Sequence, residues 1–210
     1  MKREYNTIVF DLGGVLIDWN PRHLYQHIFR NHAEMEFFLK MVCDENWNHQ
    51  LDEGRSFEEA VKELSAQYPL YEPNIMAYWE RWEEMLGDAN GEMVALQKEF
   101  LKSNAFKVYA LTNWSAETMP IAKERFSFLD TFDGMVVSGE EKCAKPGEKI
   151  FKILFDRYSI DPAKTIFIDD SLKNIATARN LGLEAIHFRK NQQVLAELAR
   201  LGVLPATVSN

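Results

Sequence analysis

The sequence predicts an α/β fold, a Rossmann-like doubly wound parallel sheet with a helical cap inserted after its first strand. Two observations predict it. From Glu92 onward, short apolar runs alternate with segments of helical periodicity, the pattern of parallel strands joined by right-handed crossovers. In addition, Thr7-Ile-Val-Phe-Asp11, Leu111-Thr-Asn113 and Ile166-Phe-Ile-Asp-Asp170 are, or end, apolar runs that stop at a polar residue. A buried parallel strand ending in Asp or Thr delivers that side chain to the sheet's carboxyl edge, where open α/β sheets bind ligands.

Thr7–Phe10 reads as the first strand. After Val15-Leu-Ile17 the character changes: from about residue 21 to 86 there are helical periodicity, aromatics and turn residues, but no convincing strand. Helices are expected over Arg22–Arg30, Ala33–Val42, Ser56–Gln67 and Ile75–Met85, with Ser56 and Glu59 forming a capping box. Gly87-Asp-Ala-Asn-Gly91 clusters turn residues and marks the return to the sheet. Helices over Met93–Lys102, Ala116–Phe126, Gly147–Tyr158, Lys173–Leu181 and Asn191–Leu201 then alternate with strands over Lys107–Leu111, Gly134–Val137, Thr165–Ile168 and Glu184–Phe188. The expected division is a core of residues 1–17 and 89–210 and a cap of residues 18–88, placed to cover the first strand's carboxyl end. Residues 205–210 read as a loose tail.

Composition narrows the function. With 46% hydrophobic and 27% charged residues among 210, the chain is globular and can hold one substantial core with a smaller insert. A formal charge of −8 without a basic stripe argues against nucleic acid as a partner. No apolar run approaches the ~20 residues of a membrane helix, and the first six residues lack a signal peptide's apolar stretch. Cys43 and Cys143 are isolated and fit no zinc spacing, so a reducing, cytoplasmic setting is expected. The net negative charge leaves a small phosphorylated metabolite open as the partner, and the expected state is a monomer or homodimer.

The residues at the strand ends form a chemical inventory. Asp11 can start the turn before Gly13-Gly14, or act as a nucleophile on phosphorus and a ligand of Mg²⁺. Asp169 and Asp170 can cap the following helix, or hold the cation with Asp11; adjacent carboxylates repel unless a cation or donors relieve them. Asn174, four residues after Asp170, can orient those carboxylates. The Thr112 hydroxyl and Asn113 amide are candidate donors to phosphate oxygens, and the backbone at Gly14 can approach a phosphate closely. Lys145, before a Pro146 suited to the first helical position, is a candidate counter-charge.

In this order the four segments resemble the motifs of the haloacid dehalogenase-like hydrolase superfamily: Phe10-Asp-Leu-Gly-Gly-Val-Leu16, Leu111-Thr-Asn113, Lys145-Pro146 and Phe167-Ile-Asp-Asp-Ser-Leu-Lys-Asn174. Asp-Leu-Gly-Gly-Val with Asp-Asp-x-x-x-Asn is most similar to the sugar-phosphatase branch that includes bacterial α-glucose-1-phosphate phosphatase. The resemblance implies a cap of the C1 type and a Mg²⁺-dependent phosphomonoester hydrolase working through an aspartyl-phosphate. It gives Asp11 the nucleophile's role, Thr112 and Lys145 phosphate binding, and Asp11, the Gly13 carbonyl, Asp169 and Asp170 the metal.

One position departs from that pattern. Most phosphatases of the superfamily carry a second Asp, the general acid/base, where this chain has Gly13. General acid–base help is worth ~10²–10⁴ in rate, so the sequence predicts a slower enzyme, an easier leaving group such as a sugar 1-phosphate, or a substitute acid. Asp18 is one candidate substitute, and Asn46, Trp47, His49 and Glu53 are cap candidates, with Trp47 able to stack on a sugar face. Trp79 and Trp82 at helical spacing read as packing residues, and His23, His27, His32 and His187 as structural or surface residues. Gly13 also raises two alternatives: a metal-independent 2-haloacid dehalogenase, and a weakly active or non-catalytic phosphometabolite-binding protein.

Overall fold

The computed structural model describes residues 4–204; the expected tail at 205–210 lies outside them. Five strands, β1 (Thr7–Phe10), β4 (Lys107–Thr112), β5 (Gly134–Val137), β6 (Thr165–Asp169) and β7 (Glu184–His187), form one sheet. Their order is β5-β4-β1-β6-β7, and every neighbouring pair is parallel. The expected α/β class is what the chain adopts. Because β1 lies between β4 and β6, the chain winds outward in both directions from it, which makes its carboxyl end a topological switch point.

The strands alternate between two buried faces, as a pleated sheet covered on both sides requires. Ile8 and Phe10 share one face with Val108, Ala110, Ile166 and Ile168, against α6 (Gly91–Ser103) and α11 (Asn191–Leu201). Val9, Leu111 and Phe167 share the other, against α9 (Glu148–Tyr158) and α10 (Leu172–Asn180). Two short helices complete this half, α7 (Met119–Arg125) and α8 (Ser138–Glu141).

The stretch between β1 and α6 departs from expectation in three ways. First, β2 (Ile17–Trp19) and β3 (Leu86–Ala89) pair as an antiparallel ribbon where no strand and a turn were expected. The pair is short and Gly87 is set against Asp18: a Cβ there would lie 2.6 Å from Asp18 Oδ2, so its composition resembles a turn. Second, the expected long helices break: α1 spans only Arg22–Tyr25, and α5 (Glu72–Glu80) gives way to a 3₁₀ turn at Trp82–Met85. The other expected helices form as α2 (His32–Met41) and α4 (Phe57–Gln67), the latter capped by Ser56 accepting from the Glu59 N–H at 3.3 Å. Third, α3 (Glu45–Asp52) is a helix that periodicity did not reveal, opened by Asp44 accepting from the Trp47 N–H at 2.8 Å. Leu24, Phe38, Leu51, Phe57 and Tyr78 from this stretch join Phe10 and Leu12 in one continuous apolar cluster.

Candidate active site

Register puts Asp11 and Asp169 side by side at the sheet's carboxyl edge, level with Leu111, and Thr112 one residue further along β4. Phe10 of β1 faces Ala110 of β4 and Ile168 of β6, so the next residues of each strand emerge together. The Asp11 N–H donates to the Ile168 carbonyl at 2.9 Å, carrying the ladder one residue past β1. Asp11 is buried, and Thr112 and Asp169 are fully so.

Lys145 ties these strand ends together. Its side chain is wholly buried, and Nζ donates to Asp11 Oδ1 at 2.8 Å, Asp169 Oδ2 at 2.7 Å and the Leu111 carbonyl at 2.8 Å. Burying such ions costs several kcal/mol each, which only a well-satisfied geometry offsets. That satisfaction is present: Asp11 Oδ1 also accepts from the Leu12 N–H at 2.8 Å, and Asp169 accepts from Asn174 Nδ2 and the Ser171 N–H. Burial alone would pull the Lys145 ammonium down, but Asp11 and Asp169 outweigh it and hold it above the usual lysine range. Burial pushes Asp11 well above the usual carboxylate range, against the pull of Lys145 and with Asp169 adding repulsion.

Asp170 completes an acidic cluster. Carboxylate oxygens of Asp11, Asp169 and Asp170 lie within 4.8 Å of one another. Asp170 is also raised, by partial burial first and Asp169 second. Three carboxylates against one ammonium leave two negative charges uncompensated when all are ionised, and the donor set is all oxygen. Both properties fit a hard divalent cation such as Mg²⁺. Gly14 makes room for this cluster: its φ is +75°, and a Cβ would stand 2.2 Å from Asp170 Oδ2. A second observation points to an oxyanion beside it. Thr112 Oγ1 is buried and has no hydrogen-bond partner among the described residues, an uncommon cost unless a ligand supplies one.

Above the edge lies a cavity of about 340 Å³, lined by Asp11, Gly13, Gly14 and Asp170 below and by Trp19, Phe57, Trp82 and Trp114 on its walls. Asn48 and Asp52 of α3 close it from the helical side, with Asn113, Ser115 and Thr118 completing the lining. Sequence reasoning missed the aromatic walls and the pair from α3. Trp82 packs edge-on to Trp114 at 5.6 Å, a contact between residues 32 positions apart that no local pattern announces. The four-residue spacing of Asn48 and Asp52 was the one available signal for α3's polar face.

Several expected contacts are made differently. Both ends of the Asn113 side-chain amide bind the Lys145 backbone, at 2.9 Å each, so this side chain positions the lysine instead of pointing at a phosphate. The Gly14 N–H is spent on the Ile17 carbonyl at 2.9 Å. All three Lys145 protons go to protein oxygens, so its charge acts through the carboxylates. Asn174 orients Asp169, not Asp170. Pro146 sits two residues before α9, whose first residue is Glu148. Trp47 is not in the cavity: it is buried edge-on against Tyr78 at 5.0 Å, because its side of α3 faces the helices. Asn46 and His49 line other grooves, and Glu53 is exposed near His49. Asp18 pairs with His23 at 2.9 Å outside the cavity, which gives that histidine a partner.

Comparison with known proteins identifies relatives of this chain and of its fold. A sesquiterpene phosphatase of Aspergillus oryzae is 27% identical over 198 residues, 94% of this chain and 96% of that one. A phosphorylated carbohydrates phosphatase of Thermotoga maritima is 27% identical over 189 residues, 86% of this chain and 83% of its own. Among solved structures, a HAD family enzyme of Bacteroides thetaiotaomicron in complex with magnesium superposes with a TM-score of 0.72 at 25% identity, covering 95% of this chain and all of its own. No helix among the described residues is long and apolar enough to cross a membrane. The family model for haloacid dehalogenase-like hydrolases matches residues 5–182, from before β1 through the helix after the acidic pair, and the chain belongs to that family of hydrolases.

Proposed function

We propose that the protein is a Mg²⁺-dependent phosphomonoester hydrolase acting through an aspartyl-phosphate on Asp11. The observation that carries this reading is the convergence of Asp11, Asp169 and Asp170 within 4.8 Å beside the buried Lys145 and the unpartnered Thr112 hydroxyl. Asp11, Asp169, Asp170 and the Gly13 carbonyl would hold the cation. When bound it would neutralise phosphate oxygens, which helps a carboxylate attack phosphorus. Lys145 opposes the burial that disfavours the charged Asp11 carboxylate, and together with the Leu12 N–H it fixes the Asp11 Oδ1 oxygen. Thr112 Oγ would donate to a phosphate oxygen. Residues 18–88 serve as the cap, excluding water and presenting the groups that meet the ester's organic part.

A small sugar phosphate is the first substrate reading, supported by the carbohydrate-phosphate phosphatase of Thermotoga maritima. The four aromatic walls favour a second, a monophosphate carrying an apolar group, in keeping with the sesquiterpene phosphatase relative. The dehalogenase alternative fits poorly: a haloacid's own carboxylate would enter beside three protein carboxylates whose one ammonium is already paired. A binding-only role is opposed by the Asp11 carboxylate lining the cavity itself.

The test is a panel of hexose phosphates, farnesyl phosphate, p-nitrophenyl phosphate and 2-chloropropionate, each with Mg²⁺ or with EDTA. Phosphate release that needs Mg²⁺ is expected, and preference between sugar and isoprenoid esters decides the substrate class. Chloride release unaffected by EDTA, or no turnover of any phosphate ester, would end the reading.

A further inference from the structure

An ester whose leaving oxygen is an alkoxide needs a proton as the P–O bond breaks, and among the cavity-lining residues the carboxyl groups are those of Asp11, Asp170 and Asp52. Asp11 is engaged with Lys145 and the Leu12 N–H, and Asp170 belongs to the acidic cluster. A Cβ built on Gly13 meets nothing within 4 Å, so no side chain fills the space above that residue. Asp52 remains.

Asp52 is also held for the task. Its main-chain carbonyl accepts from Ser138 Oγ, which itself accepts from the Trp114 N–H at 2.8 Å, pinning the end of α3 to the ends of β4 and β5. The adjoining turn approaches α8 closely enough that a Cβ on Gly54, at φ +92°, would lie 2.7 Å from the Gly139 carbonyl. The carboxylate is oriented by a relay: Tyr78 Oη donates to Asn48 Oδ1 at 2.8 Å, and Asn48 Nδ2 donates to Asp52 Oδ2 at 3.0 Å. Among the described residues Oδ1 has no donor, which leaves it for the cavity.

We infer, resting on the phosphatase reading, that Asp52 is the general acid and base of this site, donating to the leaving oxygen and later accepting from water. In the first step an Asp11 oxygen bonds to phosphorus, the ester P–O bond breaks, and the departing oxygen takes the Asp52 proton. In the second, water attacks phosphorus and gives its proton to the Asp52 carboxylate; the P–O bond to Asp11 breaks, releasing phosphate and restoring both groups. The environment suits an acid that starts protonated: burial pushes Asp52 up to about 7, Lys145 pulls against this, and Glu53 adds to it. Tyr78 faces it from α5, and Asp11 and Asp170 share its cavity.

The test measures alcohol release by rapid quench, with Mg²⁺, from an alkyl phosphate and from p-nitrophenyl phosphate, whose leaving group needs no proton. In the first turnover Asp52→Asn is expected to slow alkyl release by ~10²–10⁴ and to leave the nitrophenol burst near wild type. Equal loss on both esters, or loss on neither, overturns the assignment alone. A wild type inert to both esters overturns the phosphatase reading and the assignment with it. Should Asp52→Asn fail to fold, the wild-type profile decides. Alkyl release that falls as pH rises through about 7, while nitrophenol release does not, supports Asp52; parallel profiles overturn it.

Discussion

Asp11, Asn113 and Asp170 reach the cavity from just past the ends of three adjacent strands, whereas Trp19, Phe57, Trp82 and Trp114 reach it from a ribbon strand, a helix, a 3₁₀ turn and a loop. The floor is positioned by backbone register and locked by one buried lysine. The wall is positioned by packing between segments far apart in the chain. Register fixes a side chain to within a fraction of a residue, which phosphoryl chemistry requires. Packing tolerates exchange of shape, and so the wall is where a fold of this kind can change substrates while keeping its reaction.

Removing the floor's lock gives the largest expected effect. Lys145→Met leaves Asp11 and Asp169 buried without a cation, at a cost of about 3–5 kcal/mol near neutral pH, readable as a lowered urea midpoint. The sign follows from the raised lysine. Its contribution in the wild type is complete below the usual lysine value and is lost only as pH rises through its higher folded value. Wild type and variant should therefore differ across the neutral range and converge in strong alkali, and in acid the protonated carboxylates should shrink the gap. An unchanged midpoint at pH 7 would mean the floor is not held this way.

Mg²⁺ should sharpen the contrast next. At a hundredfold excess over its dissociation constant a bound cation adds about 2.7 kcal/mol, or roughly 5–10 °C in Tm for a chain of this size. Asp170→Asn should lose much of that rise, since it removes one carboxylate of the cluster without touching the Lys145 network. Equal Mg²⁺ responses from both proteins would place the cation elsewhere.

The smallest effect separates two neighbouring glycines. Gly14→Ala forces a left-handed backbone on alanine and drives its Cβ into Asp170, costing about 1–3 kcal/mol. Gly13→Asp meets open space, so its stability should stay near wild type while its preference among leaving groups shifts. Identical rates across an ester series would show that an acid at Gly13 cannot reach the leaving oxygen.

The same contrast explains what could be read from the chain. β1, β4 and β6 are short apolar runs with abrupt polar ends, so the sequence exposed both the strands and the residues they deliver. The parallel order followed from their alternation with helices. The ribbon of β2 and β3 was illegible because Gly87 and Asp18 belong to it, and such residues spell a turn locally. Trp82 was read as packing, and it does pack, on Trp114, but that contact also faces the cavity. Trp47 has the chemistry of a binding residue, and nothing local tells which side of α3 meets Tyr78. Asn113 and Asn174 carried the right chemistry for the site, yet only coordinates show that each serves a neighbouring side chain or backbone.

On the proposed mechanism the Asp11 carboxylate itself takes the phosphoryl group. Acid-quenching the protein during turnover of a phosphate ester with Mg²⁺, then mapping the modified peptide by mass spectrometry, tests it directly. A phosphoryl group on Asp11 that appears during turnover is expected, with neither adduct nor hydrolysis in Asp11→Asn. Hydrolysis persisting in that variant at the wild-type rate, or a phosphoryl group carried on another residue, would contradict it.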